Sequence, residues 1–171
     1  MLPKWARSFD WVHLQEKATQ HGLDPDLVAA VIQTESGGNT FAVRYEPDYR
    51  YVFQVDHFAK KANCSYASML FMQKTSWGLM QVMGGVALEY GLAELENRFH
   101  RTPAALIDPE IGLEFGCRVL ARKFEQFGPG VATVVAGYNA GTPRKDATGQ
   151  FLNHVHVSRF MRYYRELKGI E

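Results

Sequence analysis

The segment spanning residues 24–38 is the sequence feature that most constrains the fold, because it marks both ends of a short helix. Asp24 has the side chain of an N-cap residue, and Pro25 suits the first helical position. Gly37 and Gly38 supply a stop. Helical geometry places four apolar residues on one face of this segment: Leu27, Val28, Val31 and Ile32. The chain must therefore bury at least one amphipathic helix.

Glu35 is a carboxylate in the middle of that apolar face, since it follows Val31 by four residues and Ile32 by three. It also lies in the last turn, where the helix dipole disfavours negative charge. Burial and the dipole both favour the protonated acid, and an acid that keeps its proton can act as a general acid. By position alone, Glu35 is a candidate for a catalytic acid or for a buried structural carboxylate paired with a neighbour such as Arg44.

Glycine and proline separate the rest of the chain into further predicted helices. Asp108, Pro109 and Glu110 repeat the opening signal and begin the strongest of them, in which apolar residues recur at helical spacing. Other helices are predicted at about 9–21, 56–63, 65–73, 86–90, 131–138 and 151–168. Strand-like alternation is nearly absent. We therefore predict a mainly α protein with at most a very small sheet, organised as a single domain over residues 1–171.

Charge and hydropathy exclude several classes of function. The formal net charge of +1 lacks the basic excess of a dedicated nucleic-acid binder. No apolar run approaches the roughly 20 residues that span a bilayer, and the start of the sequence lacks the apolar stretch of a signal peptide. We therefore expect no nucleic-acid partner, no transmembrane segment and a route to any extracytoplasmic target that needs no signal peptide.

Cysteine and histidine usage argues against a metal centre. Cys64 and Cys117 are too few for a disulfide framework, and we interpret them as two buried thiols. His154 and His156 are two residues apart on the last predicted helix, which puts them on different faces. No cysteine–histidine cluster has zinc spacing, and no glycine-rich phosphate loop is present. We expect neither a metal nor a cofactor.

Three short motifs follow one another along the chain: Glu35-Ser36 at a helix end, Gly78-Leu79-Met80-Gln81-Val82, and Gly137-Tyr138-Asn139-Ala140-Gly141. In this order and spacing they resemble the soluble-lytic-transglycosylase-like (SLT) family of peptidoglycan-cleaving enzymes, which is related in fold to goose-type lysozyme. The resemblance covers most of residues 10–165. It implies a lysozyme-like α-helical domain with a substrate cleft between two lobes.

The resemblance also implies roles for the first two motifs. Glu35 corresponds to the family's catalytic acid, and Ser36 corresponds to the serine beside it that helps to position the substrate. Met80 and Gln81 correspond to the segment that floors the cleft. Composition alone favours a core position for Met80, so Gln81 is the more informative member.

In the third motif, Tyr138 and Asn139 correspond to the opposite side of the cleft, with the tyrosine hydroxyl near the acid and the asparagine near the sugar. Family members cleave the β-1,4 bond between N-acetylmuramic acid and N-acetylglucosamine. In the lytic route, the C6 hydroxyl of the muramic acid closes on C1, and deprotonated Glu35 then serves as the base. The alternative for this motif is a core tyrosine and a turn residue before Gly141.

The stretch between the first two motifs departs from the common family pattern. It contains Arg44-Tyr45-Glu46-Pro47, which looks like a segment of some phage and prophage muramidases. Glu46 is therefore a candidate second carboxylate, which could orient a water molecule for an inverting hydrolysis. The alternatives for Glu46 are a solvated loop residue or an ion-pair partner of Arg44 or Arg50.

Together these features predict cleavage of peptidoglycan glycan strands, with Glu35 as general acid and base in a lytic transglycosylase. A hydrolytic muramidase that uses Glu46 and a non-catalytic cell-wall-binding module are the alternatives. We expect a monomer, delivered as a bacteriophage or prophage lysin from a virion or through a membrane pore, or else used by a secretion system. A basic face on the last helix could contact the cell wall or a membrane weakly: Arg159, Arg162, Arg165 and Lys168.

Overall fold

The computed structural model describes residues 2–95 and 101–170. Within them the protein has eight α-helices, three short strands and several 3-10 helices, so the prediction of a mainly α fold with a very small sheet is confirmed. The elements in chain order are α1 (Trp11–Gln20), α2 (Pro25–Glu35), β1 (Val43–Tyr45), α3 (Val55–Ala62), α4 (Tyr66–Gln73), β2 (Thr75–Trp77), β3 (Val82–Met83), α5 (Gly84–Glu89), α6 (Pro109–Phe127), α7 (Val131–Ala140) and α8 (His154–Lys168).

The chain divides into two compact units. The first unit comprises Met1–Gly38 and Cys117–Glu171 and contains α1, α2, the C-terminal half of α6, α7 and α8. The second unit comprises Asn39–Gly116 and contains the sheet and α3 to α5. The single catalytic domain and the cleft between two lobes stay predictions.

Helix α2 is the central helix of the first unit. It begins as the sequence predicts, because the Asp24 side chain accepts a hydrogen bond from the backbone N–H of Asp26 at 3.0 Å. Its apolar surface is wider than the predicted face, since Ala29 and Ala30 are fully buried along with the four larger residues. Because α2 is buried on all sides, packing fixes its last turn, which carries Glu35.

The last turn of α8 is tied to the first turn of α2 by a polar network. Tyr164 donates its hydroxyl to Asp24 Oδ2 at 2.7 Å. Lys168 Nζ lies 2.8 Å from Asp24 Oδ2 and 2.7 Å from Asp26 Oδ2. Lys168 is thus paired within the unit, which removes one cation from the predicted basic face. Contact of that face with a cell wall or membrane stays a prediction.

This network predicts a pH-dependent contribution to stability. Burial raises the pKa of Asp24, but hydrogen bonds from Lys168, Tyr164 and the Asp26 backbone outweigh it and bring the pKa below its ordinary value of 3.8. A carboxyl group whose pKa is lower in the folded than in the unfolded state stabilises the protein at pH values above its unfolded-state pKa. This stabilisation is lost as the pH falls through the folded-state pKa. We expect Asp24→Asn to lower the free energy of unfolding by about 1 kcal/mol near neutral pH.

Urea unfolding of wild type and Asp24→Asn across the acidic range measures this effect. The difference between the two proteins should shrink as the pH falls below 3.8. Lys168→Met is the matched control, because it removes the partner and leaves the Asp24 cap in place. A difference that stays constant with pH would rule out the charged network as its cause.

The second unit carries the three-stranded antiparallel sheet, in the order β1-β2-β3. Val43 pairs with Trp77, and Trp77 pairs with Val82, so the second sequence motif forms the turn between β2 and β3. Gly78 opens this turn at a φ of +72°, and a Cβ added there would lie 2.1 Å from the backbone oxygen of Leu106. The turn is therefore packed directly on the 3-10 helix Pro103–Ile107.

Neither Cys64 nor Cys117 forms a disulfide bond. Cys117 is buried, but Cys64 is partly exposed, so the interpretation as two buried thiols is correct for Cys117 and wrong for Cys64. None of the helices in the described part of the chain is long and apolar enough to cross a membrane. Over residues 2–95 and 101–170, no group of three or more His, Cys, Asp or Glu side chains is arranged to hold a metal ion.

Candidate active site

Glu35 ends α2 with a side chain that is only 7% exposed. Its Oε1 lies 3.2 Å from Nε2 of His156, whose own side chain is 12% exposed. His156 comes from the first turn of α8. The acid of the first motif is thus in contact with an imidazole inside the first unit.

Tyr138 lies near enough to Glu35 for the two groups to interact electrostatically. Burial raises the pKa of the Tyr138 phenol well above its ordinary value of 10, and the charges of Glu35 and Cys117 raise it further. The Tyr138 hydroxyl therefore keeps its proton at any pH at which the protein works. The structure thus supplies a neutral hydrogen-bond donor within electrostatic range of Glu35.

The end of α7 is held so that the Asn139 amide has a defined orientation. Gly137 allows α7 to approach α6 closely, since a Cβ there would lie 2.3 Å from the Phe127 ring. Asn153, the residue before α8, donates its side-chain N–H groups to the Ala136 carbonyl at 3.1 Å and to Asn139 Oδ1 at 2.9 Å. Because Oδ1 accepts from Asn153, the exposed Asn139 presents its Nδ2 donors on the other side of the amide.

Ser36 is the residue that terminates α2. Its hydroxyl donates to the Ile32 carbonyl and accepts from the Gly38 N–H, both at 3.2 Å. These bonds satisfy backbone groups at the helix end. The hydroxyl is therefore part of the turn behind Glu35, and its contact with substrate stays a prediction.

Gln81 organises the β2–β3 turn through its side chain. Its Nε2 donates to the carbonyls of Ala42 and Gly78 at 2.9 Å and 3.0 Å, and its Oε1 accepts from the Ser76 hydroxyl at 2.9 Å. Gln81 also adopts a φ of +49°, which is uncommon for a residue with a side chain. Such strain is found where the surroundings determine the conformation, as at binding sites. A direct contact between Gln81 and substrate stays a prediction.

Met80 precedes Gln81 and is fully buried. A Cβ added to Gly116 would lie 2.2 Å from the Met80 sulfur, so the side chain packs closely on the backbone of α6. This is the core position that composition favoured for Met80. Its contact with substrate stays a prediction.

Glu46 follows β1 and forms an ion pair with Arg44. The two residues are two positions apart on an extended segment, which puts both side chains on the same side. The Glu46 side chain is 36% exposed, and the Arg44 side chain is 63% exposed. The structure thus contains the ion pair that was one of the alternatives for Glu46, and a role as a second carboxylate stays a prediction.

The sequence motifs did not include His156 and Asn153, which contact Glu35 and Asn139. One signal for His156 was present in the sequence. It precedes Phe160 by four residues and so lies on the apolar side of α8, where Phe160 is fully buried. A histidine in an apolar stripe is a candidate partner for a buried acid. The two-residue spacing from His154, however, was interpreted only with respect to metal binding.

Comparison with known proteins agrees with the motifs. The sequence model of the family described as "Transglycosylase SLT domain" matches residues 13–151. Two curated proteins with the name "Soluble lytic murein transglycosylase", from Escherichia coli strain K12 and Escherichia coli O157:H7, are each 29% identical over 112 residues. Each alignment covers 59% of this chain and 17% of the relative, so the chain spans less than a fifth of the curated relatives it matches.

Proposed function

We propose, because the chain belongs to the transglycosylase SLT domain family, that it degrades peptidoglycan by lytic cleavage of the bond between N-acetylmuramic acid and N-acetylglucosamine. The observation that carries the proposal is Glu35. Its carboxyl group is nearly buried at the end of a helix enclosed on all sides, and it falls within the residues that match the family. The names of the curated relatives support the same reaction.

In the proposed first step, Glu35 gives its proton to the glycosidic oxygen. The bond between that oxygen and C1 breaks, its electron pair goes to the oxygen, and positive charge develops at C1. In the second step, the C6 hydroxyl of the muramic acid bonds to C1 and returns its proton to Glu35. Atoms and charge balance without water, and the product is a 1,6-anhydro end.

Neighbouring groups have supporting roles in this proposal. Tyr138, which interacts electrostatically with Glu35, stays protonated and is available as a hydrogen-bond donor through both steps. Asn139 can donate from Nδ2 to the carbonyl of an acetamido group, since Asn153 occupies its oxygen. Ser36 and Gln81 act mainly through the turns that they stabilise. Met80 supports the Gln81 turn from the core.

The lytic route is favoured over hydrolysis by the state of Glu46. Its carboxylate is already bound to the guanidinium of Arg44, which shares its lone pairs and stabilises its charge. The Oε1 lone pair that accepts from Arg44 Nε is engaged in that hydrogen bond and is not available to a water molecule. The alternative, a muramidase in which Glu46 activates water, remains an outcome of the test below.

The proposed setting is the bacterial cell wall, with peptidoglycan glycan strands as the partner of a monomeric enzyme. The likeness of Arg44-Tyr45-Glu46-Pro47 to a muramidase segment supports a phage or prophage lysin. Such a lysin would reach the wall from a virion or through a membrane pore.

Digestion of purified sacculi by wild type and Glu46→Gln, with mass spectrometry of the products, tests this function. We expect both proteins to release fragments with anhydro ends at similar rates. Reducing muramic acid ends, lost together with activity in Glu46→Gln, would establish the hydrolase instead. A wild type that binds sacculi but releases nothing would identify a non-catalytic binding module.

A further inference from the structure

Asn139 and Asn153 form a pair of side-chain amides that joins the last turn of α7 to the start of α8. Both residues are close in sequence to groups that interact with Glu35. Tyr138 precedes Asn139 and interacts with Glu35 electrostatically. His156 follows Asn153 by three residues and contacts Glu35 at 3.2 Å. The amide pair therefore belongs to the surroundings of the proposed acid within the first unit.

A backbone carbonyl fixes the orientation of both amides. The Ala136 carbonyl can only accept a hydrogen bond, so the Asn153 group that lies 3.1 Å from it is the amide nitrogen Nδ2. Nδ2 carries two hydrogens, and it also donates to the Asn139 side chain at 2.9 Å. The Asn139 atom in that contact must therefore be the acceptor Oδ1, and Nδ2 of Asn139 lies on the opposite side of the amide.

Contacts with α6 hold the end of α7 that carries Asn139. Lys123 of α6 donates from Nζ to the carbonyl of Gly141, the residue that ends α7, at 3.0 Å. Gly137 lies so close to α6 that a Cβ there would come 2.3 Å from an aromatic ring carbon of that helix. Because the backbone is held in this way, the hydrogen bond from Asn153 determines the remaining freedom, which is the rotation of the Asn139 amide.

We propose that Asn153 is a positioning residue that keeps Asn139 a hydrogen-bond donor, so that this side of the site selects sugars whose amino group is acetylated. The inference rests on the proposed function. An acetamido group offers a carbonyl oxygen, which accepts a hydrogen bond from Nδ2 of Asn139. A sugar without the acetyl group carries an ammonium group at neutral pH, which only donates hydrogen bonds and so leaves Nδ2 of Asn139 without an acceptor.

The exposure of Asn139 limits the size of this discrimination. A site that buries its donor strongly rejects a ligand that lacks the acceptor, because the donor is then left unpaired. Asn139 is exposed, so water can replace part of the missing interaction. We therefore expect a preference of about tenfold for acetylated over deacetylated strands, the effect of one hydrogen bond.

Asn153→Asp tests the proposal, because a carboxylate resembles the amide in shape but only accepts hydrogen bonds. Asn139 must then turn Nδ2 toward residue 153 and Oδ1 toward the sugar. The measurement is the ratio of the digestion rate on untreated sacculi to the rate on sacculi treated with a peptidoglycan deacetylase. This ratio should fall by about tenfold or more in Asn153→Asp. Asn153→Leu, which holds the Asn139 amide in neither orientation, should give a ratio between those of wild type and Asn153→Asp.

Gln150→Glu is the matched control, because it adds the same negative charge at an exposed position three residues before Asn153. It should keep the wild-type ratio. If Gln150→Glu lowers the ratio as much as Asn153→Asp does, attraction of the ammonium group by an added carboxylate explains the effect and the proposal fails.

Hydrogen exchange of the side-chain amides, followed by NMR, tests the orientation without any activity. In wild type the Nδ2 hydrogens of Asn153 should exchange more slowly with water than those of Asn139. In Asn153→Asp the exchange at Asn139 should slow by about tenfold. Faster exchange at Asn153 than at Asn139 in wild type, or an unchanged rate ratio in Asn153→Asp, would overturn the proposal. Failure of the proposed function has a different signature, since wild type would release no fragments from either kind of sacculus while the exchange rates still report the amide orientation.

Discussion

Glu35→Gln is expected to lower the rate of glycan release by about 100- to 10,000-fold, the usual contribution of a general acid. The amide matches the carboxyl group in size and can still contact His156, so the fold should be retained. It cannot deliver the acidic proton to the leaving oxygen. The substitution removes the reacting acid at a closely packed position, where the Glu35 side chain is only 7% exposed.

Clearing of a sacculus suspension gives the rate, and thermal unfolding checks the fold. Glu35→Asp should retain an intermediate rate, because a shorter side chain keeps the acid but displaces it by about 1 Å or more. Glu16→Gln is the matched control, since Glu16 is an exposed acid on α1 that accepts a hydrogen bond from the Gln20 side chain. A Glu35→Gln protein that retains more than about a tenth of the wild-type rate would remove Glu35 from the chemistry.

Gly78→Ala is expected to destabilise the protein by roughly 2–5 kcal/mol. The φ of +72° disfavours any side chain, and the new Cβ would lie 2.1 Å from the backbone oxygen of Leu106. Backbone cannot move aside as a flexible side chain can, so the β2–β3 turn must shift. That turn carries Met80 and Gln81, and activity should fall together with stability.

Urea unfolding measures the loss, and Gly91→Ala isolates its cause. Gly91 also has a positive φ, +92°, but a Cβ there would meet nothing within 4 Å. Gly91→Ala should therefore lower the free energy of unfolding only by the cost of placing a side chain at a positive φ, about 1–2 kcal/mol. Equal losses for both variants would mean that the contact with Leu106 contributes nothing.

Local signals predicted most of the helices because capping residues, proline and glycine mark the helix ends in the sequence. The predicted Asp24 cap accepts a backbone hydrogen bond, and Ser65 caps α4 in the same way, so α2 and α4 begin directly after these residues. The extent of burial was underestimated for α2, because alanines such as Ala29 and Ala30 count little in an amphipathic pattern. Their small side chains allow close packing on every side of the helix.

The candidate site was predictable as a set of residues but not as a set of contacts. Motif order identified Glu35 and Gln81, yet the three hydrogen bonds of the Gln81 amide depend on a sheet register that no local pattern encodes. The contact of His156 with Glu35 depends on how α8 packs along α2, two helices that are far apart in sequence. The Glu46 pair with Arg44 was predictable as an alternative, because residues two apart on a strand share a face.

The central claim is that Glu35 drives an intramolecular closure that does not use water, and digestion of sacculi in heavy-oxygen water tests it most directly. Mass spectrometry of the released fragments reads both the type of muramic acid end and its oxygen isotope. The account predicts anhydro ends that carry no heavy oxygen from wild type, and almost no product from Glu35→Gln. Reducing ends labelled with heavy oxygen would contradict it, because they require a water molecule to attack C1.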